Sequence, residues 1–281
     1  MYRRLTGVAL MFMPLAILSG CADGPTRRPA ANRPVTVELA AYAGRLRTIE
    51  VNIGGESLRM LLDTGGGQTL VVPSVAKRLG CTSGGISTGF RMSGERVQFE
   101  RCGSRTMFVG GHALAIPELA IFDVNALLPA ELPKLDGVLA LDVFAQTPIT
   151  LELKANRLVV ETVRSLRSRA AHGENVPMRI ATGVDGASAV VFVAATTPTA
   201  QQVWLELDSG NLDAVLLGRH VGTGDAGSPD STITLKLGAF ETPPTRYSVR
   251  DLIWDGALNA QFMEAHAITI DMSREKVWLS R

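Results

Sequence analysis

Two aspartates of this chain arrive in the same setting. Asp63 ends the apolar run Met60-Leu61-Leu62 and is followed by Thr64-Gly65-Gly66-Gly67 and then Thr69-Leu70-Val71-Val72. Asp208 ends Val203-Trp204-Leu205-Glu206-Leu207 and is followed by Ser209-Gly210-Asn211 and then Ala214-Val215-Leu216-Leu217. An acid at the end of a buried strand is costly unless hydrogen bonds hold it or a reaction uses it. The glycines let the backbone turn sharply and bring N–H groups close to the carboxylate. Two carboxylates held side by side cannot both ionise cheaply, so they share one proton and titrate in separate steps. Such a pair can hydrolyse an amide without a metal or a covalent intermediate. The ionised member takes a proton from water while the protonated one polarises the scissile carbonyl.

A second pair of segments repeats in the same order. Asp136-Gly137-Val138-Leu139-Ala140-Leu141-Asp142-Val143-Phe144 leads to Ile149-Thr150-Leu151-Glu152-Leu153 and Leu158-Val159-Val160. It superimposes, at a constant offset of 119 residues, on Asp255-Gly256-Ala257-Leu258-Asn259-Ala260-Gln261-Phe262-Met263, Ile268-Thr269-Ile270-Asp271-Met272 and Val277-Trp278-Leu279. Two motifs recurring in order at that spacing indicate an internal duplication of a whole domain rather than a short-period solenoid.

Asp-Thr-Gly or Asp-Ser-Gly on a strand, followed later by an apolar segment of this kind, resembles the aspartic proteases. The compact spacing is similar to the retropepsin-like enzymes of bacteria, with two lobes in one chain as in pepsins. The resemblance covers the chain from about residue 36 onward. It implies an all-β fold with a few short helices, built as two pseudo-symmetric acid-protease lobes with the active site between them. Asp63 and Asp208 are the implied catalytic pair. Thr64 and Ser209 would hold the two loops together, and Gly65 and Gly210 would aim N–H groups at the carboxylates. The activity implied is peptide-bond hydrolysis on a peptide or protein substrate, with no cofactor. The alternative is a catalytically silent lipoprotein that binds extended peptides in the same cleft by strand addition. Where the family has apolar-apolar-Gly, this chain has Val138-Leu139-Ala140 and Ala257-Leu258-Asn259. Ala140 and Asn259 therefore bear on whether the two loops can approach closely.

With 281 residues, 46% of them hydrophobic, the chain can build two small cores. A net charge of +1 and 5% aromatic residues give no basis for a nucleic-acid partner. Arg3-Arg4, the apolar run from Gly7 to Ile17 and Leu18-Ser19-Gly20-Cys21 read as a targeting segment too short to span a bilayer. Leu-Ser-Gly-Cys resembles the bacterial lipobox, which implies lipidation at Cys21 and attachment to a membrane; an ordinary signal peptide is the alternative. Ala22 after Cys21 favours the outer membrane, facing the periplasm. In that oxidising space Cys81 and Cys102 are expected to pair as a disulfide, with two free thiols as the other option. No Cys/His spacing suggests a metal, and His112, His172, His220 and His266 are scattered.

The elements that position the two aspartates follow in chain order. Residues 1–21 are the expected signal peptide and 22–34 a Pro- and Arg-rich tether. Residues 35–163 form the first lobe, 164–187 the connection and 188–281 the second lobe. Ser74 is expected to cap a short helix to Leu79, and Asp136 and Asp255 to cap a turn or helix. The Gly-rich stretch from Ser83 to Phe99 reads as a mobile hairpin, and the resemblance makes it a flap over the substrate, with Thr88, Gly89, Phe90, Ser93 and Gly94 at its end. Asp63 and Asp136 are 73 residues apart but Asp208 and Asp255 only 47. The missing length matches one such hairpin, so a single flap from the first lobe is expected. Both acidic motifs lie in one chain, so a monomer should suffice.

Overall fold

A computed structural model describes residues 33–183, 185–212, 214–221 and 231–280. The expected signal peptide with Cys21, residues 22–32 of the tether and residues 222–230 lie outside the described residues.

Strand pairing dominates the described chain, which is mostly β as the duplication requires. In the first lobe Leu46–Ile53 and Glu56–Leu62 pair antiparallel about Gly54 and Gly55, both at positive φ. Glu56–Leu62 then runs parallel to Gly137–Leu139, with Met60 opposite Gly137 and Leu62 opposite Leu139. The second lobe repeats this. Ala189–Thr196 pairs antiparallel with Gln202–Leu207, which runs parallel to Gly256–Leu258, with Leu205 opposite Gly256 and Leu207 opposite Leu258. Met60, Leu62, Leu139, Leu205, Leu207 and Leu258 are all buried. Each such side chain contributes about 1.5–3 kcal/mol by leaving water. Slipping the register by one residue would turn the whole set toward solvent.

The Asp-Gly pairs of the repeat are needed for close approach. A Cβ on Gly137 would lie 2.1 Å from Leu70 O, and one on Gly256 would lie 2.1 Å from Leu216 O. Asp136 and Asp255 do not cap a helix or turn of their own. Asp136 Oδ2 accepts from Arg59 N at 2.9 Å, and Asp255 Oδ2 from Trp204 N at 2.7 Å. Strands, not helices, follow these aspartates, so the free donors within reach belong to the neighbouring strand, four residues ahead of Asp63 and of Asp208.

A six-stranded sheet joins the halves. Its order is Val35–Glu38, Arg157–Val160, Ile149–Glu152, Ala267–Asp271, Lys276–Ser280 and Glu174–Val176. Ile149–Glu152 and Ala267–Asp271, the copies of one strand, meet at its centre. Arg47 of the first lobe, almost buried, donates to Asn156 Oδ1 at 2.6 Å and to Glu264 Oε1 at 2.8 Å, so the second-lobe helix Ala260–Ala265 is tied to the first lobe.

Two local expectations are corrected. The short helix is Pro73–Arg78, its N-cap is Val72, and Ser74 caps nothing. Pro73 occupies the first helical position, where a missing N–H costs nothing. The segment taken as a connection is regular structure. Thr162 and Ser165 form a capping box for the helix Val163–His172. Glu174–Val176 then joins the six-stranded sheet, and Met178–Thr182 pairs with Ala189–Thr196 in the second lobe.

Candidate active site

Asp63 and Asp208 leave their strands in matching ways. Asp63 N donates to Leu139 O at 3.0 Å and Asp208 N to Leu258 O at 3.2 Å. The turns that follow fold back on their own acids, with Gly65 N donating to Asp63 Oδ1 at 3.0 Å and Gly210 N to Asp208 Oδ1 at 2.9 Å. The two turns also interlock. A Cβ on Gly65 would lie 2.7 Å from Asp208 Cγ, and one on Gly210 would lie 2.6 Å from Asp63 Cγ. Each glycine is thus pressed against the other lobe's carboxyl, and any side chain there would drive the acids apart.

Thr64 and Ser209 lock this approach. Thr64 N donates to Ser209 Oγ at 3.0 Å, and Ser209 N donates to Thr64 Oγ1 at 2.9 Å. The hydroxyls then donate across to the opposite strands, Thr64 Oγ1 to Leu207 O at 2.6 Å and Ser209 Oγ to Leu62 O at 2.9 Å. All four bonds are buried, where losing a partner is expensive.

The carboxyl groups of Asp63 and Asp208 interact directly across the two turns. Burial pushes Asp208 up to about 8, helped by the charge of Asp63. Burial also raises Asp63, but N–H groups of Gly65, Gly66 and Gly210 and the Asp208 hydroxyl stabilise its charged form. Burial and mutual repulsion thus favour one shared proton on the pair, with the neutral form favoured more strongly at Asp208.

Ala140 and Asn259 do not disturb the loops. Both are extended, at φ −103° and ψ −179° for Ala140 and φ −103° and ψ 174° for Asn259, so neither needs the left-handed region that glycine favours. Ala140 N donates to Thr69 Oγ1 at 3.1 Å, and Asn259 Oδ1 caps its helix by accepting from Phe262 N at 3.0 Å. Asp142, opposite Gln261 in the repeat, is structural. It accepts from Thr69 N at 3.1 Å and Thr69 Oγ1 at 2.5 Å, and burial lifts it to about 6.

The Gly-rich stretch forms the hairpin Ile86–Phe90 and Arg96–Arg101, stapled at its base by a Cys81–Cys102 disulfide. Thr88, Gly89 and Phe90 lie on its first strand, and Ser93 and Gly94 at its tip. The tip reaches the second lobe, where Ile253 N donates to Met92 O at 3.0 Å. Phe90 is exposed. Among the described residues no cluster of His, Cys, Asp and Glu could hold a metal.

One group at the site is passed over in the sequence reading. Glu206, a member of the apolar run before Asp208, is 1% exposed and acted on by both Asp208 and Asp63. The available signal is its matched position in the first lobe, which is Leu61.

A two-lobed β fold with one acid from each lobe, locked side by side by a hydroxyl exchange, defines the class of acid-protease-like proteins. A sequence model of the aspartyl protease family matches residues 49–143, which hold Asp63, the hairpin and the first repeat segment. Among solved structures, basic 7S globulin from soybean is similar with a TM-score of 0.53 at 10% sequence identity, over 88% of this chain and 95% of that chain. No curated protein sequence matches. The sequence likeness to the aspartyl protease family thus lies in the first lobe, and the likeness of fold extends over both lobes.

Proposed function

We propose that this chain is an aspartic endopeptidase in which Asp63 and Asp208 activate a water molecule for attack on a peptide bond. The observation that carries the reading is the interlocking of the two turns: the Thr64–Ser209 exchange holds them together, and Gly65 and Gly210 each press against the other lobe's carboxyl. Asp63 is the base. It takes a proton from the water as the oxygen attacks the carbonyl carbon. Asp208 is the acid, and its proton goes to the carbonyl oxygen as that oxygen gains negative charge. The resulting diol collapses as Asp63 passes its proton to the amine nitrogen, the C–N bond breaks, and a diol hydroxyl returns a proton to Asp208 as it becomes the carbonyl of the new carboxylic acid. The hairpin, already touching the second lobe at Ile253, shields the reacting groups from bulk water. Both acids come from one chain, so the working unit is a monomer. The lipobox-like Leu18-Ser19-Gly20-Cys21 supports an envelope protein held by lipid at Cys21 with its lobes toward the periplasm.

Incubation of the purified protein with a denatured protein substrate from pH 4 to 9, with products sequenced by mass spectrometry, tests the activity. Internal cleavage lost in Asp63→Asn supports the reading. A folded wild-type chain that binds peptides and cleaves none leaves the silent lipoprotein as the better account.

A further inference from the structure

Resting on the endopeptidase reading, we propose that Glu206 makes this site selective for a substrate with a basic side chain, an ammonium or a guanidinium, on a residue flanking the scissile bond. The placement follows from strand geometry. Side chains two apart on a strand share a face, so Glu206 projects from Gln202–Leu207 on the same side as Asp208. Its Oε1 would lie 3.1 Å from a Cβ on Gly65, the same hypothetical atom that sits 2.8 Å from Asp208 Oδ1. The acid therefore stands directly beside the dyad, one side-chain step along the line a bound peptide would follow.

No described cation neutralises it. Glu206 is buried, and its Oε2 has no hydrogen-bond partner. The charged groups that act on it are Asp208 on its own strand and Asp63 from the first lobe, both acidic, and no described lysine or arginine does so. Its cross-strand neighbours are Phe192 and Ala257, which carry no charge. Trp254 Nε1 faces the carboxyl closely enough to ease its charging, yet it makes no hydrogen bond of ordinary geometry and is itself buried without a partner. Trp254 packs edge-on against Phe192 at 5.8 Å, which gives the acid an aromatic wall. An isolated buried carboxyl is a costly feature, and a purely structural site would be served by the leucine found at position 61. A carboxylate with aromatic walls is what a cationic side chain complements, through a charge-assisted hydrogen bond and contact with the ring.

Trp254 links this acid to the hairpin. Trp254 follows Ile253, whose backbone holds the tip of the hairpin. Lifting the hairpin to admit a peptide frees that segment, and the pocket opens with it. Burial and the two neighbouring acids favour the neutral form of Glu206. A cation that pairs with it favours the charged form, so binding releases a proton: neutral Glu206 plus the cation becomes a carboxylate–cation pair plus one proton to solvent.

The test uses matched peptides that differ only in carrying lysine, arginine or norleucine at the positions flanking one bond. Binding to the full-length Asp63→Asn variant is followed by calorimetry at pH 6.5 in buffers of different ionisation enthalpy. The expected result is about tenfold or greater preference for the basic peptides, with proton release, both lost in an added Glu206→Gln substitution. Glu206→Leu, which copies position 61, covers the case in which the amide variant folds poorly. Equal affinity for basic and norleucine peptides, or a basic preference that survives Glu206→Gln, overturns the proposal. Parallel hydrolysis assays on the unsubstituted protein separate the two readings. Cleavage of all peptides at equal rates leaves the endopeptidase standing and removes the role of Glu206. Basic-selective, proton-releasing binding with no hydrolysis keeps Glu206 as a cation site and removes the protease.

Discussion

Thr150 and Thr269 face each other at the centre of the six-stranded sheet, with their hydroxyl oxygens 2.9 Å apart and 119 residues between them. They are the same position of the two repeats, and they pair directly in the register of Ile149–Glu152 with Ala267–Asp271. Thr64 and Ser209 are likewise matched positions of the two halves and bond to each other. Duplication thus placed one symmetric contact in the sheet and another at the reacting groups, and the second can be tested by substitution.

Thr64→Val keeps the side chain's shape and removes its hydroxyl. Ser209 N–H and Leu207 O then lose their partners while buried, at about 1–3 kcal/mol each. Ser209→Ala strands Thr64 N–H and Leu62 O in the same way. The four bonds form one network, so the double variant should lose less stability than the two single losses added together. Urea unfolding of the four proteins reads this, and strict additivity would mean that the loops are not coupled through these hydroxyls.

The Cys81–Cys102 disulfide closes a 21-residue separation around the hairpin. Cys81→Ser with Cys102→Ser should lower stability by about 2–4 kcal/mol, measured by chemical denaturation. Amide exchange should speed up in Ile86–Phe90 and Arg96–Arg101 before it does in the lobe sheets, since the staple acts on the hairpin. Uniform acceleration through the first lobe would show that the bond supports the core instead.

Much of this architecture was legible because duplication writes each signal twice. One Asp-Thr-Gly is a weak pattern, but Asp63 and Asp208 with matching Asp136 and Asp255 fix the pairing of strands and the meeting of two acids. The readings that needed correction were local ones. Ser74 has the right type for an N-cap, yet Pro73 starts the helix first. Asp136 and Asp255 have the right type for caps, yet the donors nearest to them belong to neighbouring strands. The segment after Val163 carries few apolar residues in helical or alternating order, so its helix and strands draw on a capping box and on pairing partners far away in sequence. Glu206 was obscured for a different reason. A single acid in an apolar run reads as noise until the fold puts it beside two others.

Stability should fall as pH rises. Asp208 is raised to about 8 and Asp142 to about 6, both from an ordinary value near 3.8, and Asp63 and Glu206 are raised as well. Each folded-state group keeps a proton that the unfolded chain has already released, so the native state binds more protons across that window. For Asp142 and Asp208 the stabilisation is complete below about pH 4 and is lost progressively up to about 8, and Asp63 and Glu206 act in the same direction. Thermal unfolding should therefore show a Tm several degrees higher at pH 5 than at pH 8.5. Asp208→Asn removes one contributor, so its Tm should exceed that of the wild type at pH 8.5 and vary less with pH. A Tm that climbs between pH 5 and 8.5 in the wild type would contradict the assignment of buried, proton-holding acids.

The proposed catalytic pair gives the sharpest outcome. Asp63→Asn and Asp208→Asn should each reduce hydrolysis to background with the fold retained, because an amide can neither accept the proton of water nor share one. The losses should not multiply, since removing one member already abolishes the pair, and the double variant should match either single one. In the unsubstituted protein kcat/KM should decline as pH rises through about 8, where Asp208 gives up the shared proton. It should also decline on the acid side, as Asp63 becomes protonated and no base remains. That profile places working activity well above strongly acid conditions. If Asp208→Asn retained most of the activity, a different group would be acting beside Asp63. Glu206, the remaining carboxyl at the site, would be the first to substitute.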